Sequence, residues 1–389
     1  MKGKRSALHS TYIIDGVTMS LTPAEMLDGC LPGDAAGAPD RSGLEPIIDE
    51  STDPSPSSIT FENGKAQEYL EKTEALLGAQ RDCPMAYSAS YTKGRISQAL
   101  LDSIWKKGHF RLADLGLDGR WRWDSRKIGN MAAFYDSAEA AADFIEGLGI
   151  CLTGYSCTES AKGSGVTFKV VTAGRIDSDE DMDEGEDLHM PPATPFGSEN
   201  PSIGKTRAIP DKMVPDPESW LIYIPFDSCE FRLGGSLLCK AFGQVGEAFP
   251  EIGDADYFID CHEVVREFVE DRIATAGVTV CEGGLLTALK SMCPDGVGAT
   301  LDISGILSAY GEKSATRVLF AEVPGVLVQI RDIDYDYVDA ELLLQDIAYY
   351  PVGHPVPGSD KVKVKTAGGH GISGILQSLL SGQASEGED

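Results

Sequence analysis

The sequence has no run of 18 apolar residues, no C-x-x-C pair and no G-x-x-x-x-G-K-[ST] phosphate loop. The first absence excludes a helix that crosses a bilayer. The second, with nine cysteines scattered without paired zinc-ligand spacing, excludes a zinc-finger type of site. An odd number of unpaired thiols fits a reducing cytosol better than a disulfide framework, so a cytoplasmic protein is expected. Lys2, Lys4 and Arg5 open the chain without an apolar segment behind them, so no secretory signal is expected. Positive charge is scarce: 33 Lys and Arg against 61 Asp and Glu leave a formal net charge of −28. Such a surface repels nucleic-acid phosphates and the anionic faces of membranes, and neither is expected as a partner. The six histidines are isolated. Cys261-His262 falls within an amphipathic helix that should bury Cys261 and turn His262 elsewhere.

What is present is the composition of a soluble globular protein, 42% hydrophobic and 24% charged over 389 residues, enough for two or three domains. Tyr12 to Ile14 reads as a short strand, and Thr22-Pro23-Ala24-Glu25 as a helix start with proline in the first turn. Residues 31–60, rich in Pro, Gly, Asp and Ser, read as a linker. From Arg95 the spacing of Ile96, Leu100 and Ile104 predicts a helix ended by Gly108, and Met131 to Gly147 a second one rich in alanine. Leu148 to Leu152 reads as a buried strand. Asp177 to Asp187 is an acidic block, read either as a solvated surface insertion or as a tail for a cation or partner. Beyond it strands (Trp220 to Pro225, Val278 to Val280, Val326 to Arg331) alternate with helices (Tyr257 to Ile273, Leu285 to Met292, Val338 to Ile347). That alternation predicts an α/β or α+β fold.

Four local segments, in one order, carry a resemblance. Gly119-Arg120-Trp121-Arg122-Trp123 with Tyr135-Asp136-Ser137-Ala138-Glu139 looks like G-N-W-M-W followed by Y-D-A-x-E-A. Arg232-Leu233-Gly234-Gly235-Ser236, continuing through Phe242 to Glu247 and Pro250, looks like R-L-G-G-S-A-L-A-Q-x-x-x-Q-x-G-x-x-x-P. Glu282-Gly283-Gly284-Leu285 looks like S-D-G-G-L, and Leu319-Phe320-Ala321-Glu322 with Pro324-Gly325 looks like L-F-A-E-E-P-G. Together, over residues 95–355, they resemble the C-terminal half of the large formylglycinamidine ribonucleotide synthases, relatives of the aminoimidazole ribonucleotide synthases. The resemblance implies an N-terminal sheet and helix domain of aminoimidazole-synthase type, followed by an α/β C-terminal domain. It also implies pairing of two such units, with nucleotide sites at the seams. The expected divisions are an N-terminal extension at 1–94, a partial sheet domain at 95–176, an acidic insertion at 177–206, an α/β domain at 207–355 and a tail at 356–389.

The activity implied by the resemblance is an ATP-dependent amidination in purine biosynthesis, which needs Mg²⁺ on carboxylates and donors around phosphates. In the family's G-K-D-S-L-S motif this chain has Gly154-Tyr155-Ser156-Cys157-Thr158-Glu159: Ser156 replaces the lysine and Cys157 the aspartate. A thiol is a poor ligand for hard Mg²⁺. In the H-D-x-S-D-G-G-L motif Val278 and Thr279 replace the histidine and first aspartate. Gly154, Thr158, Arg232, Gly234, Gly235, Ser236, Gly283 and Gly284 are the nucleotide-contact candidates that this resemblance leaves, with Glu159 and Glu282 as substitute metal ligands. The glycines admit a second reading, as tight turns into helices. No residue is assigned a catalytic role, and no glutaminase nucleophile elbow is present. Two functional readings stay open: one segment of a synthase, or an inactive relative that serves as a binding or assembly subunit. A missing half would expose an apolar pairing face, so a homodimer or a complex with another synthase-type unit is expected.

Overall fold

A computed structural model of the chain describes residues 4–33, 43–52, 60–79, 81–108, 110–172, 206–246 and 248–366. The acidic block at 177–187, Glu247 of the second motif and the end of the tail lie outside the described residues. The N-terminal part forms β1 (Tyr12–Ile14), β2 (Val17–Thr18), α1 (Pro23–Asp28), β3 (Ile47–Asp49) and α2 (Ala66–Glu74). Thr22 starts α1 with a capping box: its hydroxyl accepts the Glu25 amide while the Glu25 carboxylate accepts the Thr22 amide at 2.8 Å. The linker reading of 31–60 fails in its middle. There β3 pairs with β1 in parallel, and the Asp49 carboxylate accepts the amides of Gly129, Met131 and Ala132 at 2.7, 2.7 and 3.1 Å. A parallel partner more than thirty residues away leaves no local pattern to read.

The next layer is α3 (Ser88–Ile104), β4 (Leu115–Trp123), α4 (Asn130–Gly147), β5 (Cys151–Glu159) and β6 (Gly165–Thr172). Strand β4 is central, parallel to β5 and antiparallel to β6. Its period of two sends Leu115, Leu117, Trp121 and Trp123 into the core. Trp121 Nε1 donates to Ser137 Oγ at 2.9 Å and Trp123 Nε1 to the Asn130 carbonyl at 2.5 Å, so α4 holds both indoles. The opposite face of the sheet carries Asp118, Arg120, Arg122, Ser156, Thr158 and Thr167. That face is polar, so the apolar pairing surface expected from a missing half is not found there.

The remaining elements are β7 (Trp220–Pro225), α5 (Leu237–Ala241), α6 (Ala255–Glu270), β8 (Ala274–Val280), α7 (Gly284–Met292), β9 (Val297–Asp302), α8 (Ser304–Ala309), α9 (Ala315–Phe320), β10 (Gly325–Ile330), α10 (Tyr335–Leu344), β11 (Tyr350–Gly353), β12 (Pro355–Pro357) and β13 (Val362–Lys365). They build an antiparallel sheet of order β11-β7-β10-β8 and a smaller one of order β12-β9-β13. The fold is therefore α/β. Among the described residues no helix is long and apolar enough to cross a membrane, and all nine cysteines are free.

Helix α6 packs against α3 and α4. It corrects one expectation: His262 is buried together with Cys261, stacked toward Phe258, and neither ring nitrogen has a hydrogen-bond partner among the described residues. Burial lowers the imidazole from its ordinary 6.5 to about 4, and Glu263 only partly opposes this. The folded chain therefore keeps His262 neutral where the unfolded chain protonates it. The stability that this neutral ring permits is full above pH 6.5 and is lost as pH falls toward about 4. The expected loss across that window is about 3 kcal/mol. Urea titrations at pH 7 and 4.5 check it: His262→Phe should flatten the acid limb, and an unchanged limb would assign it to other groups.

Candidate anion-binding cleft

A cavity of about 780 Å³ opens between the polar face of β4, β5 and β6 on one side and α3 with the segment that precedes it on the other. Four arginines reach it: Arg81, Arg95, Arg120 and Arg122. Two of them follow from strand alternation. Because Trp121 and Trp123 are buried, Arg120 and Arg122 must project from the other face. Arg120 Nε is 2.7 Å from Asp118 Oδ1, and Arg122 donates to Ser160 Oγ at 3.2 Å with Asp82 at 3.7 Å. Arg95 rises from α3, with Gln98 Oε1 2.8 Å away.

Arg81 is the deepest of the four, 7% exposed, and comes from the N-terminal extension. Its Nη1 lies 2.8 Å from Glu322 Oε2, its Nη2 donates to the Gly235 carbonyl at 2.6 Å, and its plane sits over the Tyr91 ring. Burial is the largest single influence and works against its charge, but Glu322, Tyr91 and Glu282 together outweigh it and hold Arg81 above its ordinary value. The same Glu322 accepts the Leu237 amide at 2.9 Å and the Gly283 amide at 3.0 Å through Oε1. One buried carboxylate thus ties both glycine turns to an arginine from the extension.

Outside the glycine turns, the residues singled out by sequence fall in three places. Gly154, Thr158 and Glu282 line the four-arginine cleft. Arg232 pairs with Glu230 and lines a separate cleft of about 320 Å³ with Lys313 and Arg317. Glu159 accepts the Ser125 hydroxyl at 2.6 Å in a third cleft, with Arg126 and Lys127. Strand alternation explains the separation, since Ser156 and Thr158 face the large cleft while Cys157 and Glu159 face the other way. The two substitute metal ligands are therefore apart, and Glu282 is already beside Arg81 and Arg95. No group of three His, Cys, Asp or Glu among the described residues could hold a metal ion by itself, so no all-protein metal site is formed among them.

The glycine turns are engaged internally. Gly234 N–H donates to the Ala248 carbonyl and Gly235 N–H to that of Val245, each at 2.5 Å. Ser236 donates to the Leu233 carbonyl at 2.7 Å and accepts the Cys239 amide. An anion at Gly283 would have to displace Glu322. Gly284, at φ +76°, has Phe320 Cα 2.6 Å from where a Cβ would stand. These turns are close-packed junctions between backbones. Sequence reading gave none of the four arginines a role. Those on β4 could have been found from the tryptophan alternation; Arg81 had no local signal.

No protein-family model matches the chain. It is 26% identical over 276 residues to the probable phosphoribosylformylglycinamidine synthase, chloroplastic/mitochondrial, of Arabidopsis thaliana, which covers 70% of this chain and 18% of that protein. It is 26% identical over 224 residues to the phosphoribosylformylglycinamidine synthase of Homo sapiens, covering 57% of this chain and 15% of that one. Among solved structures, the Thermotoga maritima PurL complexed with FGAR superposes with a TM-score of 0.49 at 11% identity, over 71% of this chain and 41% of that one. The tt0281 protein of Thermus thermophilus gives 0.45 at 15% identity, over 76% and 82%. The chain is thus similar to the phosphoribosylformylglycinamidine synthases. It spans less than a fifth of the length of these curated relatives.

Proposed function

We propose that the chain is a synthase-like unit of purine metabolism that binds a phosphorylated small molecule of the nucleotide or phosphoribosyl class in the four-arginine cleft. One observation carries the reading: a chain of net charge −28 gathers four guanidiniums around a single cavity of about 780 Å³. That volume suits a nucleotide-sized ligand. Guanidiniums suit phosphate oxygens because their planar fork donates two parallel hydrogen bonds. Carboxylates beside each arginine orient it before a ligand arrives. The donors present fit the phosphates of ATP; among the described residues no group of three protein ligands forms a metal site of its own.

Chemistry by this chain alone is a different matter. No histidine, cysteine or lysine is among the described residues that line the cleft. Val278 is buried, and Thr279 is occupied in donating to Asp102 at 2.7 Å. Proton transfer to an amidine product needs a titrating group within hydrogen-bond reach of the reacting atoms, and those of the cleft are engaged: Asp118 lies beside Arg120, Glu282 beside Arg81 and Arg95, and Tyr155 donates to Asp28. We therefore favour a binding or assembly unit over a complete ligase. Titration calorimetry with ADP, with and without Mg²⁺, tests both parts. Micromolar binding that is insensitive to magnesium is expected, and Arg122→Met should weaken it about tenfold by removing one charged donor. No heat at millimolar ADP would sink the nucleotide reading. A strict magnesium requirement would revive the enzyme.

A further inference from the structure

The inner end of the cleft already holds an anion of the protein's own. We propose that Glu282 is a built-in counter-carboxylate whose place the ligand's phosphate takes, so that this side chain sets which anions the cleft accepts. The inference rests on the reading of the cleft as an anion site.

Two carboxylates share Arg81, and they are not equivalent. Glu322 is 7% exposed, lies 2.8 Å from Arg81 Nη1 and accepts two backbone amides. Glu282 is 23% exposed, and its Oε1 stands 3.6 Å from Arg81 Nη1 and 3.5 Å from Arg95 Nη1. Both separations exceed the roughly 2.7–2.9 Å of a tight charge-assisted bond. Glu322 is thus built into the fold, whereas Glu282 rests between two cations without gripping either.

Removing Glu282 would leave both arginines where they are. Arg81 keeps Glu322, the Gly235 carbonyl and the Tyr91 ring. Arg95 keeps Gln98. Among these four side chains, two positive and two negative charges cancel; once Glu282 turns toward solvent, one positive charge is uncovered. A neutral ligand gains nothing from that displacement, and a monocarboxylate only replaces one carboxylate with another. A terminal phosphate brings a charge of roughly −1.5 to −2 and three acceptor oxygens, enough to engage both guanidiniums together. Glu282 therefore makes the cleft selective for phosphate over carboxylate, at a cost in affinity for both.

The test compares the full chain with its Glu282→Gln variant by calorimetry, using ADP and acetate as probes at two ionic strengths. The variant is expected to bind ADP about tenfold tighter with a steeper dependence on salt, since one repelling charge has gone. It should also gain measurable affinity for acetate. Glu282→Asp, which keeps the charge but draws it back from both arginines, should fall between the two and serves if the glutamine variant does not fold. If the wild-type chain binds ADP and both variants bind it equally or more weakly, Glu282 orients the arginines and the inference fails while the cleft reading stands. If neither wild type nor variants bind ADP, both fail together.

Discussion

Replacing Glu322 with alanine is expected to destabilise the chain by about 3–5 kcal/mol, the range for breaking a buried ion pair from one side. The change orphans three donors at once: the amides of Leu237 and Gly283, and one edge of the Arg81 guanidinium. Each uncompensated backbone donor costs about 1–3 kcal/mol. Arg81, 7% exposed, would be left with a carbonyl and the more distant Glu282. Glu322→Gln should lose less, because its amide oxygen can still accept both backbone N–H groups. Urea unfolding followed by the fluorescence of the buried tryptophans measures both. A loss under about 1 kcal/mol for the alanine variant would mean that water or Glu282 satisfies these donors, and that the glycine turns do not depend on this carboxylate.

The second large effect is expected at Gly284. Alanine there combines a left-handed backbone at φ +76° with a Cβ 2.6 Å from Phe320 Cα and 2.7 Å from the Leu319 carbonyl oxygen. Both neighbours are backbone atoms and cannot rotate away. The left-handed conformation alone costs about 1–2 kcal/mol and the overlap about 1–3 more, so Gly284→Ala should lose about 2–5 kcal/mol. Gly243 is the control: it has φ +67° but nothing within 4 Å of its would-be Cβ, so only the conformational part should appear. Equal losses at the two positions would show that crowding against α9 does not matter. The result bears on function as well. If Gly284 serves a junction between α7 and α9, its substitution should change stability and leave ADP affinity in the folded fraction unaltered.

These two residues show how the glycine motifs divide. Sequence reading left them open between phosphate contact and tight turn, and it quoted Glu322 only as part of a resembling segment. Nothing local to Leu319-Phe320-Ala321-Glu322 indicates that this carboxylate will meet the amides at Leu237, 85 residues earlier, and Gly283, 39 residues earlier. The contact is tertiary, and it changes what the glycines are for.

Local periodicity was a sound guide wherever one face of an element meets the core. The spacing of Ile96, Leu100 and Ile104 marked α3, and the alanines of α4 marked a helix that packs against it. It failed at His262 because the covered face of α6 is wide: the stripe that reaches solvent is the acidic one of Asp256, Asp260, Glu263 and Glu267, and His262 lies outside it. It failed also at β3, whose parallel partner is supplied by another part of the chain.

By itself, then, the sequence determined the α/β character and the likeness to the formylglycinamidine ribonucleotide synthases, a resemblance that sets Ser156, Cys157, Val278 and Thr279 against their lysine, aspartate and histidine positions. Those features reside in residue identity and short-range spacing, which survive without coordinates. Only the tertiary structure decided that Gly154, Thr158 and Glu282 share a cleft while Arg232 and Glu159 do not. It alone brought Arg81 from the N-terminal extension to the bottom of that cleft. The physical reason is that charge acts through space: a guanidinium 241 positions from its carboxylate partner in sequence becomes a neighbour 2.8 Å away only when the chain folds.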